Sequence, residues 1–170
     1  EFLEDVKGYL PFNPYDFQEI AFRESLLGVK QINRMCTSSG KSMTIALLAE
    51  FFRRKGQRGL LLVPNINLLT QFKRDIKDYN LQDLWEDTHV IGGGQTERHF
   101  DKTLTISTWQ SLQNHKEGLE KLDYVITDET HRFASDVTAS IVKGTINCRY
   151  KWGFTGTLPE DPTMKMELFG

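Results

Sequence analysis

Short apolar runs alternate along the chain with longer stretches in which apolar residues recur at helical spacing. Runs such as Leu60–Val63 and Tyr124–Ile126 are apolar on consecutive residues, which is typical of strands covered on both faces. The pattern predicts strands at Ile32–Cys36, Leu60–Val63, Thr88–Ile91, Leu104–Ser107, Tyr124–Thr127 and Tyr150–Thr155. It predicts helices at Phe17–Leu27, Lys41–Arg54, Leu68–Tyr79, Trp109–Gln113 and Ser135–Val142.

The alternation of strands and helices predicts an α/β fold, in which a doubly wound, mostly parallel sheet carries helices on both faces. A length of 170 residues suits one domain. We expect a short lead-in segment over residues 1–14 and the domain itself over residues 15–170. Because ligands of such sheets bind beyond the carboxyl ends of the strands, residues that carry chemistry should follow strands directly.

Charge and composition narrow the function classes. The chain has 21 Lys and Arg against 23 Asp and Glu, so any contact with nucleic acid must be local. The basic run Arg53–Lys55 is expected to stabilise the C-terminal end of a helix, where positive charges are favourable, rather than to bind DNA. No apolar run has the length of a membrane span. The chain opens with Glu1 and no signal segment, and we expect it to be part of a longer protein.

The cysteines, Cys36 and Cys148, are too few and too far apart for a disulfide scaffold or a zinc cluster. We expect both to be small buried apolar groups in a reducing compartment.

A loop of small residues, Thr37-Ser38-Ser39-Gly40-Lys41-Ser42, lies between a predicted strand and an apolar helix. Successive backbone N–H groups of such a loop can surround a phosphate at the N-terminus of the helix. Lys41 would then reach the β and γ phosphates of a nucleotide, and the Ser42 hydroxyl would bind Mg²⁺. The alternative is a capped helix that begins with an exposed lysine.

A pair of carboxylates follows the apolar strand that ends at Thr127, in the sequence Asp128-Glu129-Thr130-His131. Asp128 would hold Mg²⁺ through its water shell, and Glu129 would orient or deprotonate an attacking water. The alternative is an acidic turn that caps the next helix. Both halves of a magnesium–nucleotide site therefore follow strands, and together they favour phosphoryl chemistry.

The segments Ser39–Ser42 and Asp128–His131 resemble motifs I and II of the superfamily-two helicases of the DExH branch. The resemblance implies a first RecA-like motor domain that hydrolyses ATP with Mg²⁺ and works with a second RecA-like domain of the same chain. Within this superfamily the chain is most similar to phage UvsW-type recombination helicases. That similarity implies action on single-stranded or branched DNA in recombination, repair or replication, in the cytoplasm of a bacterial or phage-infected cell. RNA as the substrate stays an alternative.

Further segments resemble the helicase motifs that bind the nucleotide base and that couple the nucleotide site to the nucleic-acid site. Tyr15–Gln18 resembles the Q motif, which implies that Gln18 reads the adenine edge and that Tyr15 stacks on the base. His131 would act beside the nucleotide and would couple the carboxylate pair to Thr155 and Thr157, which stand where motif III follows a strand.

Three more segments resemble the helicase motifs that contact nucleic acid, namely Val63–Gln71 for motif Ia, Ile91–Gly94 for motif Ib and Ser107–Leu112 for motif Ic. The resemblance implies contacts with the sugar-phosphate backbone by Asn65, Gly93, Thr108 and Gln110. The alternative for each is ordinary turn or helix-cap chemistry.

Two other functions stay open at this stage. Met35 and Ser38 stand where a nucleotide-binding loop usually has glycine or a small residue, which raises the alternative of a nucleotide-gated binding module without turnover. A small-molecule or nucleotide kinase would need a lid and an acceptor-binding base, and the sequence offers a signal for neither.

Overall fold

A computed structural model describes residues 1–35, 40–94, 97–128 and 136–156 of the chain. Its strands are β1 (Lys30–Arg34), β2 (Gly59–Val63), β3 (Thr88–Ile91), β4 (Leu104–Thr108), β5 (Tyr124–Asp128) and β6 (Tyr150–Thr155). They form one sheet in the order β1-β6-β5-β2-β4-β3, and every described pair is parallel. The predicted parallel α/β fold is therefore confirmed.

The helices flank this sheet. They are α1 (Phe2–Lys7), α2 (Asp16–Leu27), α3 (Lys41–Arg54), α4 (Ile66–Asp78), α5 (Gln82–Glu86), α6 (Trp109–Leu112) and α7 (Asp136–Gly144), with a short 3-10 helix at Leu119–Lys121. The pattern of apolar residues did not predict α1 or α5, which have six and five residues.

The first strand is displaced from its predicted position. The sequence placed it at Ile32–Cys36, whereas β1 spans Lys30–Arg34. This strand forms one edge of the sheet, and its two ends are exposed and charged, so the apolar pattern did not reveal its start. Cys36 lies outside the described residues.

The central strands separate two apolar clusters, one on each face of the sheet. In β2, Leu61 and Val63 join the cluster formed with α1 to α4, whereas Leu60 and Leu62 join the cluster that contains Ile141 of α7. All five residues of β2 are buried. Burial on both faces explains why this run is apolar at consecutive positions.

Gly59 at the start of β2 allows β5 to lie close beside it. A Cβ atom added at Gly59 would stand 1.9 Å from Cζ of the Tyr124 ring. The ring itself is fully buried and stacks on Phe52, with the ring centroids 4.9 Å apart. An aromatic ring from the neighbouring strand therefore occupies the space that a side chain at Gly59 would need.

Helix α1 is fixed to the domain by apolar and ionic contacts. Leu3 and Val6 are buried in the larger cluster. Arg54 at the end of α3 binds Asp5 at 2.6 Å and the buried Glu50 at 2.9 Å. The basic run at the end of α3 therefore has acidic partners within the chain.

Cys148 is buried, as predicted, and its Sγ donates a hydrogen bond to the Leu122 carbonyl at 3.2 Å.

No helix in the described part of the chain has the length and apolar content of a membrane span.

Candidate nucleotide and nucleic-acid sites

The N-terminus of α3 is shaped by Gly40. This residue caps the helix with a φ of 71°, in the left-handed region that favours glycine. A Cβ atom at Gly40 would also stand 2.3 Å from the Nε2 atom of Gln18. The left-handed backbone favours glycine at this position, and α3 begins directly after it at Lys41, as the sequence predicts.

Lys41 and Asp128 meet at the carboxyl edge of the sheet. The Lys41 Nζ lies 3.0 Å from the Asp128 Oδ1, and the two side chains are 8% and 15% exposed. Lys41 begins the helix that follows β1, whereas Asp128 is the last residue of β5. The structure thus brings together the central residues of the two motifs.

A cavity of about 270 Å³ opens beside this ion pair. Its lining consists of Gly40, Lys41, Ser42, Leu68, Gln71, Phe72, Asp75 and Asp128. The Ser42 hydroxyl and the Asp128 carboxylate are hard oxygen donors, which suit Mg²⁺. Within the described residues no group of three or more His, Cys, Asp or Glu side chains could hold a metal. Because Mg²⁺ usually keeps several waters, these two oxygen donors are a set that a magnesium ion could share with water and phosphate.

Helix α4 supplies polar residues that the sequence analysis did not assign to the nucleotide site. Gln71 and Asp75 line the cavity, and the Tyr79 hydroxyl, at the C-cap, forms a short hydrogen bond with the Ser42 hydroxyl. Burial raises the pKa of Asp75, while a hydrogen bond with Ser42 acts to lower it. Burial likewise raises the pKa of Tyr79. Their spacing of four residues places them on one helix face, and this is the signal that could have found them.

The predicted Q motif joins the start of α2 to Gly40. The Gln18 Oε1 accepts a hydrogen bond from the Tyr15 backbone N–H at 2.8 Å, and its Nε2 donates to the Gly40 carbonyl at 3.1 Å. Gln18 is buried, whereas Tyr15 is 67% exposed. The Tyr15 ring stacks on that of Phe17, with centroids 5.6 Å apart. The Gln18 side chain therefore links the backbone before α2 to the glycine cap of α3.

Met35 occupies the position where a strict phosphate loop has glycine. Its side chain is buried in the larger cluster, and its backbone N–H donates to the Thr155 carbonyl at 2.9 Å. Met35 therefore extends the packing of the sheet.

Thr155 is buried at the end of β6. It comes directly after Phe154, which is the register partner of Asp128. The other predicted site residues of these motifs, Thr37, Ser38, Ser39, Glu129, His131 and Thr157, lie outside the described residues.

The residues predicted to contact nucleic acid follow β2, β3 and β4. Asn65 caps α4 by accepting a hydrogen bond from the Leu68 N–H at 3.0 Å. Thr108 is buried and caps α6, with its Oγ1 2.9 Å from the Ser111 Oγ. The capping chemistry that was the alternative for both residues is therefore present.

Gly93 and Gln110 are exposed at this same edge of the sheet. A groove of about 550 Å³ beside Gly93 is lined by Ile91, Gly92, Gly93, Gly94, Arg98, Ser111 and His115. The sequence analysis missed Arg98 and His115, since neither belongs to a motif and only the fold brings them to the three glycines.

The six-stranded parallel sheet with helices on both faces defines an α/β domain of the RecA-like class. The chain belongs to the family described as type III restriction enzyme, res subunit, whose family model matches residues 12–160. The resemblance to superfamily-two helicases is thereby confirmed.

Individual relatives agree with this assignment. The ATP-dependent DNA helicase uvsW of Enterobacteria phage T4 is 29% identical over 99% of this chain and 34% of that protein. The DNA 3'-5' translocase XPB2 of Sulfurisphaera tokodaii is 30% identical over 91% of this chain and 33% of that protein. The crystal structure of the UvsW helicase from bacteriophage T4 superimposes with a TM-score of 0.83 and 27% identity, over 98% of this chain and 65% of that one. The chain spans about a third of the length of these curated relatives.

Proposed function

We propose that this chain is the first motor domain of an ATP-dependent DNA helicase or translocase. The observation that carries the proposal is the ion pair between Lys41 and Asp128 beside a cavity at the carboxyl edge of the sheet. Membership of the family and the similarity to a phage DNA helicase support it.

Each residue of the nucleotide site has a proposed task. Lys41 binds the β and γ phosphates, and Ser42 and Asp128 hold Mg²⁺. Bound Mg²⁺ would neutralise part of the charge that develops on the transferred phosphoryl group. Glu129 orients the attacking water and accepts its proton. Thr37, Ser38 and Ser39 would offer backbone N–H groups to the phosphates.

The adenine base would lie at the start of α2. The exposed ring of Tyr15 offers a stacking surface at the start of α2. Gln18 would read the edge of the base, and its hydrogen bonds to Tyr15 and Gly40 support that location.

Nucleic acid would cross the ends of β2, β3 and β4. Asn65, Gly93, Thr108 and Gln110 would approach the sugar-phosphate backbone. Arg98 adds a cationic side chain to the groove at Gly93, and His115 adds an imidazole that can form hydrogen bonds. We propose that His131, Thr155 and Thr157 couple this surface to the nucleotide site.

A second RecA-like domain of the same protein would complete the site by supplying arginines to the γ phosphate. We therefore expect the 170-residue chain alone to bind Mg-ATP but to hydrolyse it slowly, and not to unwind DNA. Efficient unwinding by this chain alone would contradict that expectation.

The test is ATP turnover by the protein that carries this chain together with its second motor domain. Parallel assays contain no nucleic acid, single-stranded DNA, forked DNA or RNA. Stimulation by DNA, largest with the fork, is the expected result. Stimulation by RNA alone would identify an RNA motor, and ATP binding without turnover in any assay would identify a nucleotide-gated binding module.

The variant Glu129→Gln tests the chemistry in the same protein. It should still bind Mg-ATP, and its turnover should fall by orders of magnitude because the proton acceptor is lost. Glu117→Gln, the same change at an exposed position, is the matched control and should keep full turnover. Unchanged hydrolysis by Glu129→Gln would refute the proposed role of Glu129.

A further inference from the structure

Tyr79 stands at the C-cap of α4, and its neighbours on several sides fix its position. Its backbone N–H donates to the Asp75 carbonyl at 2.8 Å, and its ring packs against the larger apolar cluster. The Phe12 ring meets the Tyr79 ring edge-on, with the centroids 5.9 Å apart. The next residue, Asn80, donates from its Nδ2 to the Tyr9 carbonyl at 2.8 Å. Helix α4 and the lead-in segment together hold the Tyr79 ring in place.

The Tyr79 hydroxyl reaches from α4 to the proposed metal ligand at the start of α3. It forms a hydrogen bond with the Ser42 Oγ, in which either hydroxyl can donate the hydrogen. Tyr79 comes 37 residues after Ser42 and belongs to neither the phosphate loop nor the carboxylate motif. This bond therefore connects the nucleotide site to an element outside its two motifs.

A metal ion at Ser42 would fix the direction of this hydrogen bond. A serine hydroxyl has one hydrogen and two lone pairs. When a lone pair of Ser42 faces Mg²⁺, the positive charge of the ion repels the hydrogen, which then points away from the metal. The Tyr79 oxygen lies within hydrogen-bond distance of Ser42 and has lone pairs that can accept this hydrogen. Tyr79 can thus hold the Ser42 hydroxyl in the orientation that metal binding needs.

Packing accounts for the ring of Tyr79 but not for its hydroxyl. Phenylalanine would make the same apolar contacts with the larger cluster and with Phe12. Tyr79 is half-buried, and withdrawing a hydroxyl from water costs free energy unless it is hydrogen-bonded. The bond to Ser42 offsets that cost. Tyr124 provides a contrast within the domain, since its buried hydroxyl has no hydrogen-bond partner among the described residues.

We propose that Tyr79 is a positioning residue for the metal site, because its hydroxyl accepts the Ser42 hydrogen and thereby directs a lone pair of Ser42 toward Mg²⁺. This inference rests on the proposed function of Lys41, Ser42 and Asp128. Outer-shell partners of this kind commonly change metal affinity by about 10- to 100-fold. Loss of the Tyr79 hydroxyl should therefore weaken the binding of Mg-ATP and spare the binding of metal-free ATP.

The test compares binding of a fluorescent ATP analogue to the 170-residue chain with Mg²⁺ and with EDTA. Tyr79→Phe keeps the ring against Phe12, and it should weaken binding by about tenfold or more with Mg²⁺ and by less than about twofold with EDTA. Tyr124→Phe, the same change at a hydroxyl that is remote from the motifs, is the matched control and should bind as the unchanged chain does in both conditions. Circular dichroism checks that each variant is folded.

The variant Ser42→Ala separates positioning from a general structural role. It removes the hydroxyl that Tyr79 holds, so adding Tyr79→Phe to it should cause no further loss of binding with Mg²⁺. The role of Tyr79 would be overturned by an equal loss with Mg²⁺ and with EDTA, by no loss in either, or by an undiminished loss in the Ser42→Ala background. A failure of the proposed function is distinguishable, because the unchanged chain would then not bind the Mg²⁺ complex or would bind it equally well after Lys41→Ala.

Discussion

The Lys41 Nζ lies 3.0 Å from the Asp128 Oδ1, and this ion pair links the start of α3 to the end of β5. In the sheet the strands before these two residues, β1 and β5, are separated only by β6. The strand order therefore brings the lysine and the carboxylate to the same edge of the sheet, where they form an ion pair. When Mg-ATP binds, we expect Lys41 to turn to the phosphates and Asp128 to the metal.

The energy of this pair can be measured with a double-mutant cycle. We expect Lys41→Ala, Asp128→Ala and the double variant to show a coupling free energy of about 0.5–3 kcal/mol in urea unfolding, because both side chains are largely buried. The measurement is made without nucleotide. Strict additivity of the two single substitutions would show that the contact does not stabilise the nucleotide-free domain.

Glu50 is the centre of the ionic contacts that hold the end of α3. It accepts hydrogen bonds from Arg53 at 2.7 and 3.0 Å and from Arg54 at 2.9 Å, while being only 3% exposed. Glu50→Gln removes the charge and leaves two cations close together, so we expect a loss of about 2 kcal/mol in the free energy of unfolding.

The control for this prediction is Glu24→Gln, the same substitution at an exposed position of α2. Its free energy of unfolding should stay within about 0.5 kcal/mol of the unchanged chain. Equal stability of the two variants would mean that the buried position of Glu50 contributes nothing.

The Tyr124 hydroxyl is buried without a hydrogen-bond partner among the described residues. Burial also raises the pKa of this phenol. Tyr124→Phe removes the unsatisfied oxygen and keeps the ring against Gly59, so the free energy of unfolding should be unchanged or higher by about 1 kcal/mol. A decrease of more than about 1 kcal/mol in chemical denaturation would reveal a partner for the hydroxyl.

Burial raises the pKa of the Cys148 thiol to about 11. The folded state therefore holds this proton more tightly than the unfolded state does. The stability that results is complete below the ordinary thiol pKa and is lost as the pH rises toward 11. At pH about 8 we expect iodoacetamide to alkylate native Cys148 at least about tenfold more slowly than in urea. Mass spectrometry of the Cys148 peptide measures this rate, and equal rates in both states would contradict the burial.

The sequence predicted the central elements because their burial leaves a local signal. The consecutive apolar residues of Leu60–Val63 reflect two covered faces, and helix α3 has the predicted bounds of Lys41–Arg54. The short helices Phe2–Lys7 and Gln82–Glu86 leave no periodic signal, and they are stabilised by packing against the rest of the domain.

Some residues of the candidate site could likewise be predicted from the sequence, and others could not. Lys41 and Asp128 could be predicted, since each belongs to a motif that follows a strand. Asp75 and Tyr79 could not, because their place beside Ser42 depends on how α4 packs against α3 in three dimensions. Arg98 likewise comes to the glycine turn only through the fold.

The most direct test of the nucleotide site is a calorimetric titration of the 170-residue chain with Mg-ATP. The unchanged chain should bind at one site, and Lys41→Ala should lose at least about tenfold in affinity because the charge facing the phosphates is removed. Lys55→Ala, which removes an exposed lysine after the end of α3, should bind as the unchanged chain does. Equal affinity of Lys41→Ala and the unchanged chain, with both variants folded by circular dichroism, would contradict a nucleotide site at Lys41 and Asp128.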